Sequence, residues 1–174
     1  MLFISGIHGV GKTHFCNILK EKTGIPTYSA SDLISKIRNT PFDKNKIVPD
    51  INENQKYLIM AVSKLRASGN PFVIDGHFCL LNKFNEIQRI PYELFLDLKP
   101  EAIVLLTEKP RIIVKRRKER DNLNISIESI ECFQEAESTY AEEVANKLGA
   151  ELFISNGQED LNKAIDFISN IYCK

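Results

Sequence analysis

The chain has 174 residues, 43% of them hydrophobic, with 23 basic side chains against 23 acidic ones. That size supports one domain with a buried core and leaves little for a second. The zero formal charge excludes a global field for nucleic acid or an anionic membrane, so any polyanion must be recognised locally.

In chain order, short apolar, β-rich runs stand at residues 1–5, 25–29, 71–75, 102–107 and 151–155, and read as buried strands. Between them, helical patterns cover about 12–22, 31–38, 53–68, 110–119, 126–148 and 159–171. The longest repeats Ile127, Ile130, Phe133, Ala136, Tyr140, Val144 and Leu148 at three- and four-residue steps. Its acidic residues then fall on a face read as solvated, and Gly149 caps its end. Strand alternating with helix predicts a parallel sheet covered on both faces. Residues 38–54 carry two prolines and no periodicity, which suggests a functional loop.

The four cysteines, Cys16, Cys79, Cys132 and Cys173, have neither C-x-x-C spacing nor a metal-ligand pattern, so they are expected to be reduced and mostly buried. The opening residues are too short a run for a signal h-region and no stretch has the length of a membrane span, so a cytoplasmic location is expected.

The first predicted strand runs into Gly6, His8, Gly9, Val10, Gly11, Lys12, Thr13 and His14, the spacing G-x-x-x-x-G-K-T. Placed between a strand and a helix, that loop aims backbone N–H groups and a helix N-terminus at an anion. Lys12 is then expected on the β- and γ-phosphates of ATP, and the Thr13 hydroxyl on Mg²⁺. In a doubly wound sheet the ligand lies at the carboxyl ends of the strands, where "FVIDGH" delivers Asp75 as a second metal candidate. His77, just beyond, either faces the transferred phosphate or packs in a loop. In "KPRIIVKRRKERDN", Arg116 and Arg120 share a helical face and Arg117 stands a step around; they serve a phosphoryl transition state or form a solvated basic helix.

With these motifs the chain resembles the P-loop nucleoside-monophosphate kinases, closest to the short-lid adenylate kinases of archaeal and nuclear type. The likeness rests on "GIHGVGKT", "VIDGHFCL", "LKPEAIVLL", "RRKERD" and "GAELFISNGQEDL" and spans nearly the whole chain. It implies an α/β three-layer sandwich, residues 1–174, with a five-stranded parallel sheet of order 2-3-1-4-5. It also implies an acceptor-binding segment at about 29–70 and a short lid at about 116–126. By the same resemblance, Lys12, Arg116 and Arg120 are catalytic, Arg117 joins the ATP site, and Ser155 and Asn156 border the adenine. The acceptor falls to "SASDLISK", with Ser31, Asp32, Arg38 and His77 as its candidate contacts. Ser35, Lys36, His77 and Phe78 stand where many adenylate kinases carry arginines, which leaves Arg38, Lys44 and Lys46 as candidates for an acceptor phosphate.

The expected function is phosphoryl transfer from Mg-ATP to a small acceptor, a nucleoside monophosphate first. The alternatives are a hydroxyl kinase with Asp32 as general base, or an ATPase switch acting through a protein partner. Neither nucleic acid nor membrane is an expected partner.

Overall fold

The computed structural model describes residues 1–38, 51–82 and 84–172. Lys44, Lys46, Cys173 and most of the predicted 38–54 loop lie outside them. The ends of that loop are helical: Arg38 closes one helix and Ile51 opens the next.

Five parallel strands form the central sheet: β1 (Leu2–Ser5), β2 (Thr27–Ser29), β3 (Val73–Asp75), β6 (Ala102–Thr107) and β7 (Glu151–Asn156). Their spatial order is β2-β3-β1-β6-β7, which is 2-3-1-4-5 when only these five are counted. The register places Ile4 beside both Asp75 and Val104, so the strand ends that face the ligand are aligned. The helices are α1 (Lys12–Thr23), α2 (Ala30–Arg38), α3 (Ile51–Arg66), α4 (Tyr92–Leu98), α5 (Pro110–Asp121), α6 (Ile127–Leu148) and α7 (Leu161–Tyr172).

The predicted strands are not uniformly buried. All of β1 is buried, and so are residues 102–106 of β6, because both are central and covered on two faces. Every residue of β2 is only partly buried, and β7 leaves Glu151, Ile154 and Asn156 exposed, because these strands form the sheet edges.

Two features escape sequence reasoning. An antiparallel hairpin, β4 (Cys79–Leu81) with β5 (Ile87–Arg89), follows the third sheet strand, and α4 follows the hairpin. Each hairpin strand is three residues long and β5 is exposed throughout, so no alternation could mark them. The hairpin starts where Phe78 stacks on Phe95 of α4, with ring centroids 4.7 Å apart, while Phe3 of β1 meets both rings edge-on at 5.3 and 5.7 Å. Gly76 lets the chain pass over this cluster, since a Cβ there would lie 2.6 Å from the Phe3 ring. Asp75 and His77 are thereby held on either side of a glycine seated on the core.

Candidate active site

A cleft of about 1200 Å³ opens at the carboxyl ends of the strands. A pocket for one small ligand rarely exceeds about 1000 Å³, so there is room for two substrates. One side is lined by His8, Gly9, Val10, Gly11, Lys12, Thr13 and His14, with Arg116 and Arg120 of α5 above them. The other side is formed by α2, α3 and the segment after β3, and includes Ser31, Asp32, Asp75 and His77.

The loop folds as its glycines demand. Gly9 and Gly11 take φ of +92° and +115°, and Gly11 hands the chain directly to α1. Lys12 is the first helical residue and is buried; its Nζ donates to the Gly6 carbonyl and lies 3.5 Å from His77 Nε2. The His8 and His77 rings stand 4.3 Å apart, so the phosphate loop and the segment after β3 meet directly. Cys16, one turn beyond Lys12, is buried, and burial pushes its thiol up to about 12, with the Asp75 charge adding to the effect.

The basic helix divides its arginines by role. Arg116 donates to the Gly9 carbonyl at 3.3 Å and the Val10 carbonyl at 2.8 Å, and pairs with Glu108 at 3.3 Å. It therefore braces the phosphate loop through its carbonyls while lining the cleft. Arg120 also lines the cleft, but its guanidinium lies on the neighbouring Asp121, with contacts of 2.7 and 2.8 Å. That contact holds the Asp121 carboxyl down at about 2. Arg117 does not line the cleft: its methylenes pack where a Gly9 Cβ would be, and its Nε lies 2.7 Å from Asp121.

Asn156 is likewise outside the cleft, holding the Thr107 hydroxyl at 2.5 Å, while Ser155, Gly157 and Gln158 line that end instead. Arg38 does not line the cleft; it donates to Asn54 Oδ1 at 3.1 Å. Ser31 and Asp32 are exposed in the first turn of α2, with Ser31 Oγ 2.8 Å from Ser29 Oγ.

Sequence reasoning missed Glu137. It sits on α6 four residues after Phe133 and three before Tyr140, hence on the apolar stripe and not on the solvated face. Only 1% exposed, it accepts hydrogen bonds from the Ser5 hydroxyl, from Gly6 N at 3.3 Å, from Phe78 N at 2.9 Å and from Cys79 N at 2.6 Å. One carboxylate therefore ties the start of the phosphate loop to the segment carrying His77. Its helical phase was the available signal. Gln134, one turn earlier, clamps the end of β6 by pairing with both backbone groups of Glu108, at 3.0 and 3.1 Å.

Thr13 and Asp75 are the oxygen donors that fit a magnesium ion. Both line the cleft, and such an ion takes one or two protein oxygens, leaving its other positions to phosphate and water. No group of three or more His, Cys, Asp or Glu able to cage a metal occurs among the described residues. If Asp75 supports it, Asp75→Asn should keep the fold and lose at least about tenfold in magnesium-dependent turnover, since one charge beside the cation is gone. Wild-type turnover across a magnesium titration would move the role to another carboxylate.

The family described as AAA domain matches residues 5–134, about three quarters of the chain. The chain belongs to the AAA domain family. It is an enzyme of the P-loop kinase type. An adenylate kinase of Pyrobaculum aerophilum is 26% identical over 155 residues, which are 83% of this chain and 78% of that one. An adenylate kinase of Thermoplasma acidophilum is 24% identical over 90% of this chain and 88% of its own. Among solved structures, a shikimate kinase from Bacteroides thetaiotaomicron superposes with a TM-score of 0.58 at 13% identity, covering 99% of this chain and 98% of that one. At that identity the likeness is one of fold. No helix among the described residues of this AAA domain protein is long and apolar enough to cross a membrane.

Proposed function

We propose that this AAA domain protein transfers the γ-phosphoryl group of Mg-ATP to a nucleoside monophosphate. The observation that carries the reading is the single cleft in which the phosphate loop shares a floor with a second, roomy half walled by α2 and α3. Similarity to archaeal adenylate kinases supports the acceptor class.

In this reading Lys12 neutralises the β- and γ-phosphates, and magnesium supplies further charge neutralisation on the phosphate oxygens. Arg116 keeps the loop in its phosphate-ready shape, so little reorganisation is needed when charge develops. Arg120 exchanges Asp121 for the transferring phosphoryl group on closure, and closure excludes water. Arg120→Ala should then lower kcat about 10- to 100-fold with little change in the KM for ATP, and lysine should not restore it. Arg116→Ala should also raise the KM for ATP, because it loosens the loop carbonyls. Steady-state kinetics separates the two, and an unchanged kcat in Arg120→Ala would leave this arginine a surface charge.

A second reading is favoured by a specific observation. Among the described residues no arginine or lysine of α2 or α3 lines the acceptor half, whereas Asp32 does. An uncharged acceptor whose hydroxyl is deprotonated by Asp32 suits that wall. The test follows labelled γ-phosphate from ATP into AMP, GMP, CMP, UMP, shikimate and gluconate. Labelled nucleoside diphosphate supports the first reading and a labelled hydroxyl compound the second. Hydrolysis alone, raised by an added protein, replaces both with a switch. The expected setting is the cytoplasm, where Mg-ATP is abundant.

A further inference from the structure

The parallel ladder between β1 and β3 ends just before the chemistry begins: its last bond runs from Gly76 N to the Ile4 carbonyl at 2.9 Å. Beyond it, Glu137 reaches in from α6 and joins the two chains. Glu137 Oε1 accepts from the Ser5 hydroxyl and from Gly6 N at 3.3 Å on one chain, and from Phe78 N at 2.9 Å on the other; Oε2 accepts from Cys79 N at 2.6 Å. All four partners donate, so both oxygens are in use as acceptors. The Gly6 peptide passes the contact on, because its N–H meets Glu137 while its carbonyl accepts from Lys12 Nζ, which lies 3.5 Å from His77 Nε2. Phe78 N, one residue after His77, returns to Glu137 and closes a ring through the Lys12 ammonium. The carboxylate is also held from behind. Phe133 and Tyr140, one turn to either side on α6, are buried, and the Tyr140 hydroxyl donates to the Ile90 carbonyl at 2.7 Å.

We infer that Glu137 is a positioning residue for phosphoryl transfer, fixing Lys12 of the phosphate loop against residues 75–77 across the floor of the cleft. It does not line the cleft, and it acts through Gly6 and Phe78. The inference rests on the reading of this site as one that transfers the γ-phosphoryl group of ATP, and deepens it by naming what aligns its two sides. In-line transfer is sensitive to that alignment, since a displacement of about 1 Å can cost about 100-fold in rate. Capture of ATP is less sensitive: the loop N–H groups and the Lys12 charge persist after a small shift, and Arg116 still braces the loop. Loss of Glu137 therefore falls on kcat.

The experiment compares full-length wild type with Glu137→Gln, following labelled γ-phosphate from ATP into AMP, shikimate, gluconate and water well below both melting temperatures. Calorimetry with a non-hydrolysable ATP analogue counts the binding-competent molecules, so that kcat refers to folded protein alone. A carboxamide accepts through one oxygen only, so whichever way it turns, an N–H faces either Cys79 N or the Gly6 and Phe78 side. The expected result is a kcat lower by about tenfold or more, with the KM for ATP and the affinity for the analogue within about twofold of wild type. A purely structural glutamate would move the melting temperature and leave that kcat in place; this outcome overturns the inference while the kinase reading stands. A raised KM with unchanged kcat overturns it as well, by assigning Glu137 to ATP capture. Label found only in water or in a hydroxyl compound ends the nucleoside monophosphate reading, and the same split measured on that reaction decides the inference. If no label leaves ATP, both fall. Should Glu137→Gln fail to fold, Ser5→Ala takes its place, because it removes one donor hydroxyl and adds no bulk. Its kcat is expected to fall about threefold at unchanged KM, and a wild-type kcat overturns the inference.

Discussion

Replacing Lys12 with alanine should lower kcat/KM roughly 30- to 1000-fold, the consequence of losing about 2 to 4 kcal/mol of transition-state stabilisation. Lys12 heads α1, is buried, and its ammonium lies between the Gly6 carbonyl and His77 at the floor of the cleft. Charge placed there acts on phosphate oxygens in surroundings that water screens poorly. The fold should survive, because the side chain lies at the cleft lining and not in the sheet core. Arginine should not restore activity: the planar group is wider and its fork cannot fit the space under the Gly6 carbonyl. Calorimetry with ATP and turnover of Lys12→Ala together decide the matter. Wild-type values in both would remove the phosphate loop from the chemistry.

The largest loss of stability is expected at Glu137. Glu137→Ala strands four buried donors at once, the Ser5 hydroxyl and the N–H groups of Gly6, Phe78 and Cys79. Each such group costs about 1 to 3 kcal/mol when unpaired. Water entering the vacated space offsets part of that, and about 3 to 5 kcal/mol is the expected total. Burial is the largest influence on this carboxyl and pushes it above the usual carboxylate range, against the opposing hydrogen bonds and the Lys12 charge. The sign follows from linkage: a carboxyl raised in the folded state contributes most below its unfolded value, and that contribution is lost as pH rises through the folded value. Glu137→Gln does not titrate, so the wild-type advantage over it should be greatest at mildly acidic pH and shrink toward neutrality. Denaturant unfolding between pH 5 and 8 measures both effects, and equal stability of Glu137→Ala and wild type would refute the assignment.

The legible parts of the molecule were those in which one short stretch carries both geometry and chemistry. Gly6 to Thr13 announced a strand, a turn and a helix together, and Asp75 followed from the end of an apolar run. The sheet order required only alternation and the resemblance. What stayed hidden depends on side chains meeting across long sequence separations. Glu137 reaches Ser5 and Phe78 from another layer, and an acidic residue among many acidic residues gives no composition signal. Helical phase put Arg116 and Arg120 on one face and Arg117 a step around; what sequence could not supply were the partners, Glu108 for Arg116, Gly9 and Asp121 for Arg117, and Asp121 for Arg120. The hairpin was too short for periodicity to register.

Cys16 stands one turn from Lys12 and lines the cleft, Cys79 starts the hairpin, and both thiols are buried. Burial pushes both up to about 12. Only the thiolate attacks alkylating reagents or peroxide, and at pH 7 to 8 such a thiol is ionised in roughly one molecule in ten thousand to one in a hundred thousand. Both thiols are therefore poor nucleophiles while they stay buried, although one lies beside the phosphate loop. Cys132 on the outer face of α6 is exposed and accepts label without consequence for the cleft. A maleimide that reaches Cys16 or Cys79 reports that α1 or the hairpin has opened, so differential alkylation serves as a built-in gauge of local unfolding at these two elements.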